Sequence, residues 1–311
     1  MTLQPFLSNQ KGHFHGHETF PLRQLWLTKA YRRAKENHYN AEIFTSEDAI
    51  VRFGVGRNMV DAIRHWALAC DVLKDDNGRL SPGEIGEWLL EARDPFLINA
   101  SSIWLIHWML CGREGRTTTW GWLFNYVNHP TFDRELLLKE LTEFAYNRKF
   151  KASQLTLKRD LETCLKTYLP RASADSKEEA AEPLLSELGL IRQANLGRSL
   201  SFNRGPKLTL RNEVFVFALC EFWERRNQHQ NSQAKTLAFP EIVKGFGSPG
   251  RVFKLDENAV TEHLSEIDNL TNGALRWSDT AGVRNVTLHS RDSLQVLKFK
   301  VLSHAYRTDV R

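Results

Sequence analysis

Apolar positions along this chain recur mostly three and four residues apart, the spacing of helices with one buried face. Leu22, Leu25, Trp26, Leu27, Ala30 and Tyr31 predict a helix from Phe20 to about Glu36, with Pro21 in its first turn and Thr19 as its cap. In "TSEDAIVRFGVGRNMVDAIRHWALACDVL", Ser46 is the expected cap of a short helix holding Ala49, Ile50, Val51 and Phe53. Gly54-Val55-Gly56 then makes a tight turn, and Met59, Val60, Ile63, Trp66, Ala67 and Leu68 mark a second helix. A hairpin turn is expected at Asp76-Asn77-Gly78. Short helix, glycine turn, longer helix and hairpin follow the order of a winged helix-turn-helix, although an ordinary helix pair has the same pattern.

"PFLINASSIWLIHWMLCG" is apolar on most faces and predicts a buried helix. Trp120, Trp122, Phe124 and Tyr126 follow; such rings can stack on bases, but their apolar neighbours favour core packing. Helices are expected around Asp133–Asn147 and Leu155–Tyr168, and an exposed connector or short solvated helix over Pro170–Pro183. Beyond it, a short helix ending near Gly189, a hairpin across Asn195-Leu196-Gly197 and an apolar helix in "NEVFVFALCEFWERR" repeat the theme. A third unit combines a helix capped by Asp256 with two strands joined by Asp279-Thr280-Ala281-Gly282, half-buried through Leu275, Trp277, Val283 and Val286. The pattern therefore predicts a mainly α, α+β chain, with winged-helix modules around a helical core. The expected divisions are a winged helix-turn-helix domain over 12–93, a helical domain over 94–169, and winged-helix-like modules over 183–234 and 235–311.

Composition changes this picture little. Hydrophobic residues make up 41% and charged residues 25% of the 311 positions, ordinary for a globular chain. No uninterrupted apolar run is long enough for a membrane span, and "MTLQPFLSNQKGHF" lacks the pattern of a signal peptide, so a cytoplasmic location is expected. The four cysteines form no C-x-x-C pair and are expected to be reduced and buried. A net charge of +5 permits a nucleic-acid partner without demanding one.

Candidate chemistry concentrates in "GHFHGHETFPLR". His13, His15 and His17 alternate as metal ligands can, but no H-E-x-x-H pattern or identifiable distant partner accompanies them. His17 and Glu18 with Arg23 supply a proton carrier, a carboxylate and a phosphate-binding guanidinium, the parts of a phosphodiester-cleaving site; a polar helix cap with a salt bridge uses the same residues. These three are the catalytic candidates. Lys29, Arg57, Asn58 and Arg64 around the first helix-turn-helix are candidate DNA contacts, as are Arg204 and Lys207 by the second hairpin and Arg276 and Arg284 by the third. A protein-binding winged helix would use the same surface. The cofactor is left open, a divalent metal ion being the candidate.

"GHETFPLRQLWLTKAY", "FGVGRNMVDAIRHWALACDVL", "FKLDENAVTEHLSEID" and "DTAGVRNVTL", in this order, resemble the bacterial SspB-like family, first catalogued as a domain of unknown function. The resemblance runs from about His15 to Val286. It implies a DNA-nicking component of single-stranded DNA phosphorothioation, an anti-phage modification. The implied partners are DNA, a cysteine desulfurase, an ATPase and a sulfonucleotide-reductase-like protein, and no membrane. No motif fixes the nuclease residues. A non-enzymatic adaptor that recruits the sulfur-transfer proteins, or a winged-helix transcriptional regulator, is the alternative.

Overall fold

Helix α1 (Gln24–Glu36) starts four residues later than its apolar pattern predicts, and the reason lies in the backbone before it. Glu18 (φ 47°) and Thr19 (φ 63°) are both left-handed and turn the chain, so that the Phe20 N–H reaches the His17 carbonyl at 2.8 Å. The next residues are extended: Arg23 bridges to Pro183, and the Leu184 N–H donates to the Leu22 carbonyl. The expected Thr19 cap is therefore absent, and Arg23 precedes the helix without a side-chain cap. The computed structural model describes residues 11–170, 182–194, 199–280, 282–290 and 292–307.

Helices α2 (Glu42–Thr45), α3 (Ala49–Phe53) and α4 (Arg57–Ala69) follow. Ser46 ends α2 instead of capping α3, which Asp48 precedes without a side-chain cap. Gly54 closes α3 in the left-handed region (φ 62°), where a side chain is disfavoured. Strands β1 (Leu73–Asp76) and β2 (Arg79–Pro82) pair antiparallel around Asn77 (φ 53°) and Gly78 (φ 90°), the positive-φ pair of a two-residue hairpin turn. The expected helix, glycine turn, helix and hairpin are thus present in order.

After a single π-turn at Gly86–Leu90 comes α5 (Ala100–Cys111), buried on every face from Ser101 onward. Helix α6 (Thr118–Tyr126) buries Trp120, Trp122 and Phe124, so these rings are core. Asp133 caps α7 (Arg134–Asn147), and Ser153 caps α8 (Gln154–Tyr168). The predicted connector falls almost wholly outside the described residues, as does the turn at Asn195-Leu196-Gly197. A 3₁₀ turn at Leu184–Leu188 leads into β3 (Ile191–Gln193) and β4 (Leu200–Phe202), which pair antiparallel; Phe132 bridges to Leu200.

Helix α9 (Asn212–His229) is buried from Glu213 through Trp223 and packs on α5 and on α14 (Leu294–Leu302). Between α9 and α14 lie β5 (Thr236–Ala238), α10 (Phe239–Lys244), α11 (Pro249–Val252), α12 (Glu257–Ser265), α13 (Ile267–Leu270), β6 (Leu275–Thr280) and β7 (Val283–Leu288). Asp256 caps α12 through the Ala259 N–H at 2.8 Å, as predicted. The C-terminal hairpin gains β5 as a third strand, in the order β5-β7-β6. Asp279 and Thr280 belong to β6, not to the turn, and Val283 is exposed. Val283 and Val286 are three residues apart, which places them on opposite faces of a strand, so only Val286 reaches the core.

The fold is α+β, with two small antiparallel hairpins and one three-stranded sheet among the described residues. Buried apolar residues from Phe14 to Leu302 form one continuous cluster centred on Trp66, Trp104, Trp108, Trp120 and Trp223. All four cysteines are free and buried. Among the described residues no helix is long and apolar enough to cross a membrane.

Candidate functional site

The histidine-rich segment is pinned at both ends. His13 donates its N–H to Thr118 Oγ1 (2.9 Å) and accepts from the Thr118 N–H (3.3 Å). Gly16 then takes φ +104° against α4; a Cβ there would lie 2.6 Å from His65 Nδ1. This close approach, together with the left-handed turn at Glu18-Thr19, turns His17 inward.

His17 is buried. Its Nδ1 accepts the Thr19 N–H (3.0 Å), so the proton sits on Nε2, which donates to Asp160 Oδ1 at 2.7 Å. The ring stacks on Trp66 and meets Trp120 and the edge of His65. Both nitrogens are engaged, and the segment is thereby locked to α8. Arg23 is buried elsewhere, its guanidinium 5.0 Å from the Trp26 ring centroid. The three catalytic candidates are therefore not convergent; Glu18, which is exposed, lines a cleft.

That cleft, about 310 Å³, is lined by His13, His15, Glu18, Asp61, Arg64 and Arg116, with Gly16, His65 and Leu68 at its base. Burial, and next the neighbouring His17, push His65 down to about 3, so its imidazole is neutral. Burial followed by Arg116 lowers His13 as well. Arg64 is anchored by Asp75 (2.6 Å) and Asp61 by Arg57 (3.0 Å). The cleft thus presents two guanidinium groups, uncharged imidazole and carboxylates on one wall. Such a set can hold an anionic phosphodiester and move a proton.

Leu68 and Arg116 also line a second, larger cleft of about 830 Å³. Its floor is an ionic network with Glu221 and Lys298 buried and Asp71, Glu84 and Arg113 partly exposed. Arg113 donates to Asp71 (2.8 Å), Glu84 (3.3 Å) and both oxygens of Glu221. Lys298 donates to Glu221 (2.8 Å) and Glu84 (3.2 Å), and Trp108 Nε1 donates to Glu221 at 2.7 Å. Burial alone would raise Glu221; Arg113 and Lys298 outweigh it and hold the carboxyl at about 2.

The candidate DNA contacts separate by exposure. Asn58, Arg204 and Arg276 are exposed, and Arg57 and Arg64 are half-buried in ion pairs. Arg284 pairs with Asp279 and lies over the Phe239 ring. Lys29 donates to the Phe53 carbonyl (2.9 Å) and supports the end of α3. Lys207 is buried, its ammonium on the Gly205 carbonyl at 2.6 Å.

The sequence reading missed Asp61, His65 and Arg116 in the first cleft, and Asp71, Glu84, Arg113, Glu221 and Lys298 in the second. A signal existed for two of them: Glu221 and Lys298 are charges inside apolar helical runs, where an unpaired charge is costly.

The family model described as "Protein of unknown function (DUF4007)" matches residues 14–306. No curated protein matches the chain. Two solved structures do. A magnesium ion-bound SspB crystal structure superposes with a TM-score of 0.83 at 24% identity, over 94% of this chain and 88% of that one. An SspB crystal structure gives 0.81 at 25% identity with the same coverage. Among the described residues no group of three or more His, Cys, Asp or Glu is arranged to hold a metal ion, so the alternating histidines do not form a ligand set. The carboxylates Asp71, Glu84 and Glu221 already accept from Arg113 and Lys298. Paired in this way, these carboxylates do not form a metal cage.

Proposed function

This chain belongs to the DUF4007 family and is SspB-like across nearly its whole length, and we propose that it is the DNA-binding, strand-nicking component of a single-stranded DNA phosphorothioation system used against phage. The observation that carries the reading is the match in fold, which spans 94% of the chain and leaves no large part unaccounted for. In this reading the protein works beside a cysteine desulfurase, an ATPase and a sulfonucleotide-reductase-like protein, in the cytoplasm. The nick opens the backbone for exchange of a non-bridging oxygen for sulfur.

The cleft of His13, Glu18, Arg64 and Arg116 supplies the chemistry. Hydrolysis of a phosphodiester needs a base to take a proton from the attacking water, an acid to return one to the leaving oxygen, and cations for the charge that builds on phosphorus. Glu18 and His13 are assigned the proton transfers, and Arg64 and Arg116 the phosphate. His17 is a positioning residue: through Asp160 it holds the loop that presents Glu18. Arg23 orders the start of α1 from its place on Trp26.

DNA binding is assigned to α3, the Gly54 turn, α4 and the β1–β2 hairpin, acting as a winged helix, with Asn58 and Arg57 at the exposed start of α4. The hairpins β3–β4 and β6–β7 carry Arg204, Arg276 and Arg284 as further backbone contacts. The test combines binding and cleavage on supercoiled plasmid with several divalent ions. Conversion to open-circular DNA, and an affinity that falls steeply with salt as counterions are released, is the expected result. An affinity unchanged across the salt series refutes the DNA-binding reading. Salt-sensitive binding without nicking under any ion refutes the nickase and supports an adaptor.

A further inference from the structure

Two basic segments distant in sequence meet at one small pocket of about 260 Å³, apart from both clefts. Asn128, Arg204, Lys244, Arg251 and Lys254 line it, with Asp256 and Glu257 at the start of α12. Lys254 is 2% exposed; its ammonium donates to the Phe124 carbonyl (2.7 Å) and lies 3.9 Å from the Phe202 ring centroid. Arg204 lies over the same ring at 5.7 Å. Arg251 donates to the carbonyls of Lys244 (2.9 Å) and Asn125 and sits 4.5 Å from the Phe246 ring. Lys207, just behind, donates to the Gly205 and Lys254 carbonyls.

Carbonyl oxygens and aromatic faces fix these four cations, and among the described residues no ion pair joins any of them to a carboxylate. The acids at the rim are engaged otherwise: Asp256 caps α12, and Glu257 pairs with Lys244 at 2.7 Å. Burying the Lys207 and Lys254 ammonium groups without an ion-paired carboxylate is unfavourable. Burial, then Arg204 and Arg251, pull Lys254 well below the ordinary lysine value. Burial, and next Arg192 and Arg204 against the opposing pull of Asp256, bring Lys207 down to about 8. An anion in the pocket relieves both the desolvation and the mutual repulsion.

We propose that Arg204, Arg251 and Lys254 form a phosphate-binding pocket that takes one phosphoryl group of a nucleic acid. Planar guanidinium groups and a fixed ammonium suit phosphate oxygens, and the pocket is smaller than the roughly 300–1,000 Å³ of a drug-sized site. The assignment rests on the DNA-binding reading only for the source of the phosphate. An internal backbone diester and a terminal phosphate present the same chemistry.

The test is calorimetric titration of the full chain with inorganic phosphate, with the dinucleotide pTpT and with TpT, which lacks the terminal phosphate. Arg204 is the residue to vary, because it is exposed and its hydrogen bond to the Asn128 carbonyl is long at 3.5 Å. Arg204→Gln is expected to weaken binding roughly tenfold, and Arg204→Lys to retain most of it. Arg33→Gln, on the exposed face of α1, is expected to bind as wild type. Binding of TpT supports the pocket as a backbone site; binding of phosphate and pTpT alone supports it as a terminal-phosphate site. Failure of all three ligands overturns the proposal, as does an Arg204→Gln titration matching that of Arg33→Gln. Because inorganic phosphate needs no nucleic acid, the pocket can stand even where plasmid binding fails.

Discussion

Glu221→Gln keeps the shape of the side chain at the floor of the larger cleft and removes its charge. The carboxylate accepts from Trp108 (2.7 Å), from Arg113 through two nitrogens, and from Lys298 (2.8 Å). A glutamine has one acceptor oxygen, and its amide aims a donor at other donors. Removing one partner of a buried ion pair costs about 3–5 kcal/mol. A second route gives a similar figure: a buried carboxyl held at about 2 instead of its ordinary 4.5 contributes roughly 3 kcal/mol at neutral pH. In a chain of this length that corresponds to a melting temperature lower by roughly 5–10 °C. The folded-state value is depressed, so the contribution is fully present above the unfolded value near 4.5 and is lost as pH falls toward 2. Urea unfolding of both proteins, followed by tryptophan fluorescence at a series of pH values, measures this. The gap is expected to be widest near neutrality and to narrow toward pH ~3. Adding Lys298→Met to the variant should restore part of the loss, since it removes a buried cation that keeps only the longer contact to Glu84. A Glu221→Gln protein within about 0.5 kcal/mol of wild type at neutral pH, or a gap that does not shrink in acid, would refute the reasoning.

The adjacent residues His17 and Glu18 should separate by phenotype. His17→Ala leaves Asp160, whose second oxygen is also buried without a hydrogen bond, as an isolated carboxyl, at a cost of about 2–4 kcal/mol in thermal or urea unfolding. Glu18→Ala, at an exposed position, should change stability by less than about 0.5 kcal/mol while lowering plasmid nicking by about 10²–10⁴; equal losses of stability in the two would place Glu18 in the structural role. Gly16→Ala combines a left-handed backbone with a 2.6 Å approach to His65 Nδ1 and should cost about 1–3 kcal/mol by thermal melting, and an unchanged melt would show that the loop does not need this close contact.

Elements whose causes are local could be read in the sequence. Asp256 announces α12 because its side chain takes the Ala259 N–H three residues on. Asn77-Gly78 announces the first hairpin because both positions need positive φ. Helix α5 is apolar on every face because it is buried on every face. Elements set by tertiary pairing could not. The start of α1 is delayed because residues 22 and 23 pair with the segment at 183–184, some 160 positions away. The third strand β5 is recruited by β7 across about 50 residues, and its three positions, exposed, buried and exposed, are too few for the alternation to mark a strand. The ionic floor shows the same limit: Glu221 and Lys298 are conspicuous singly, but Arg113 and Glu84, and Asp71 through Arg113, join them only through tertiary packing.

The alternation of His13, His15 and His17 shows why spacing alone does not define their arrangement. In an extended segment, residues two apart share a side, and that geometry would gather the three rings as ligands or as one catalytic face. Gly16 at φ +104° and the left-handed pair Glu18-Thr19 interrupt the extension after His15. His13 and His15 therefore stay on the cleft wall, while His17 passes behind it to Asp160 and Trp66. The break also brings Glu18 to the cleft that Arg116 lines. Because Arg116 lines the larger cleft too, a phosphate held there lies at the junction of the two. A strand passing through both would meet the proton-transfer groups on one side of Arg116 and the Arg113–Glu221 floor on the other. In the nickase reading, the stability of that floor and the chemistry of the histidine loop are properties of two clefts that share Leu68 and Arg116. They should respond differently to mutation: floor variants change unfolding, and loop variants at exposed positions change cleavage.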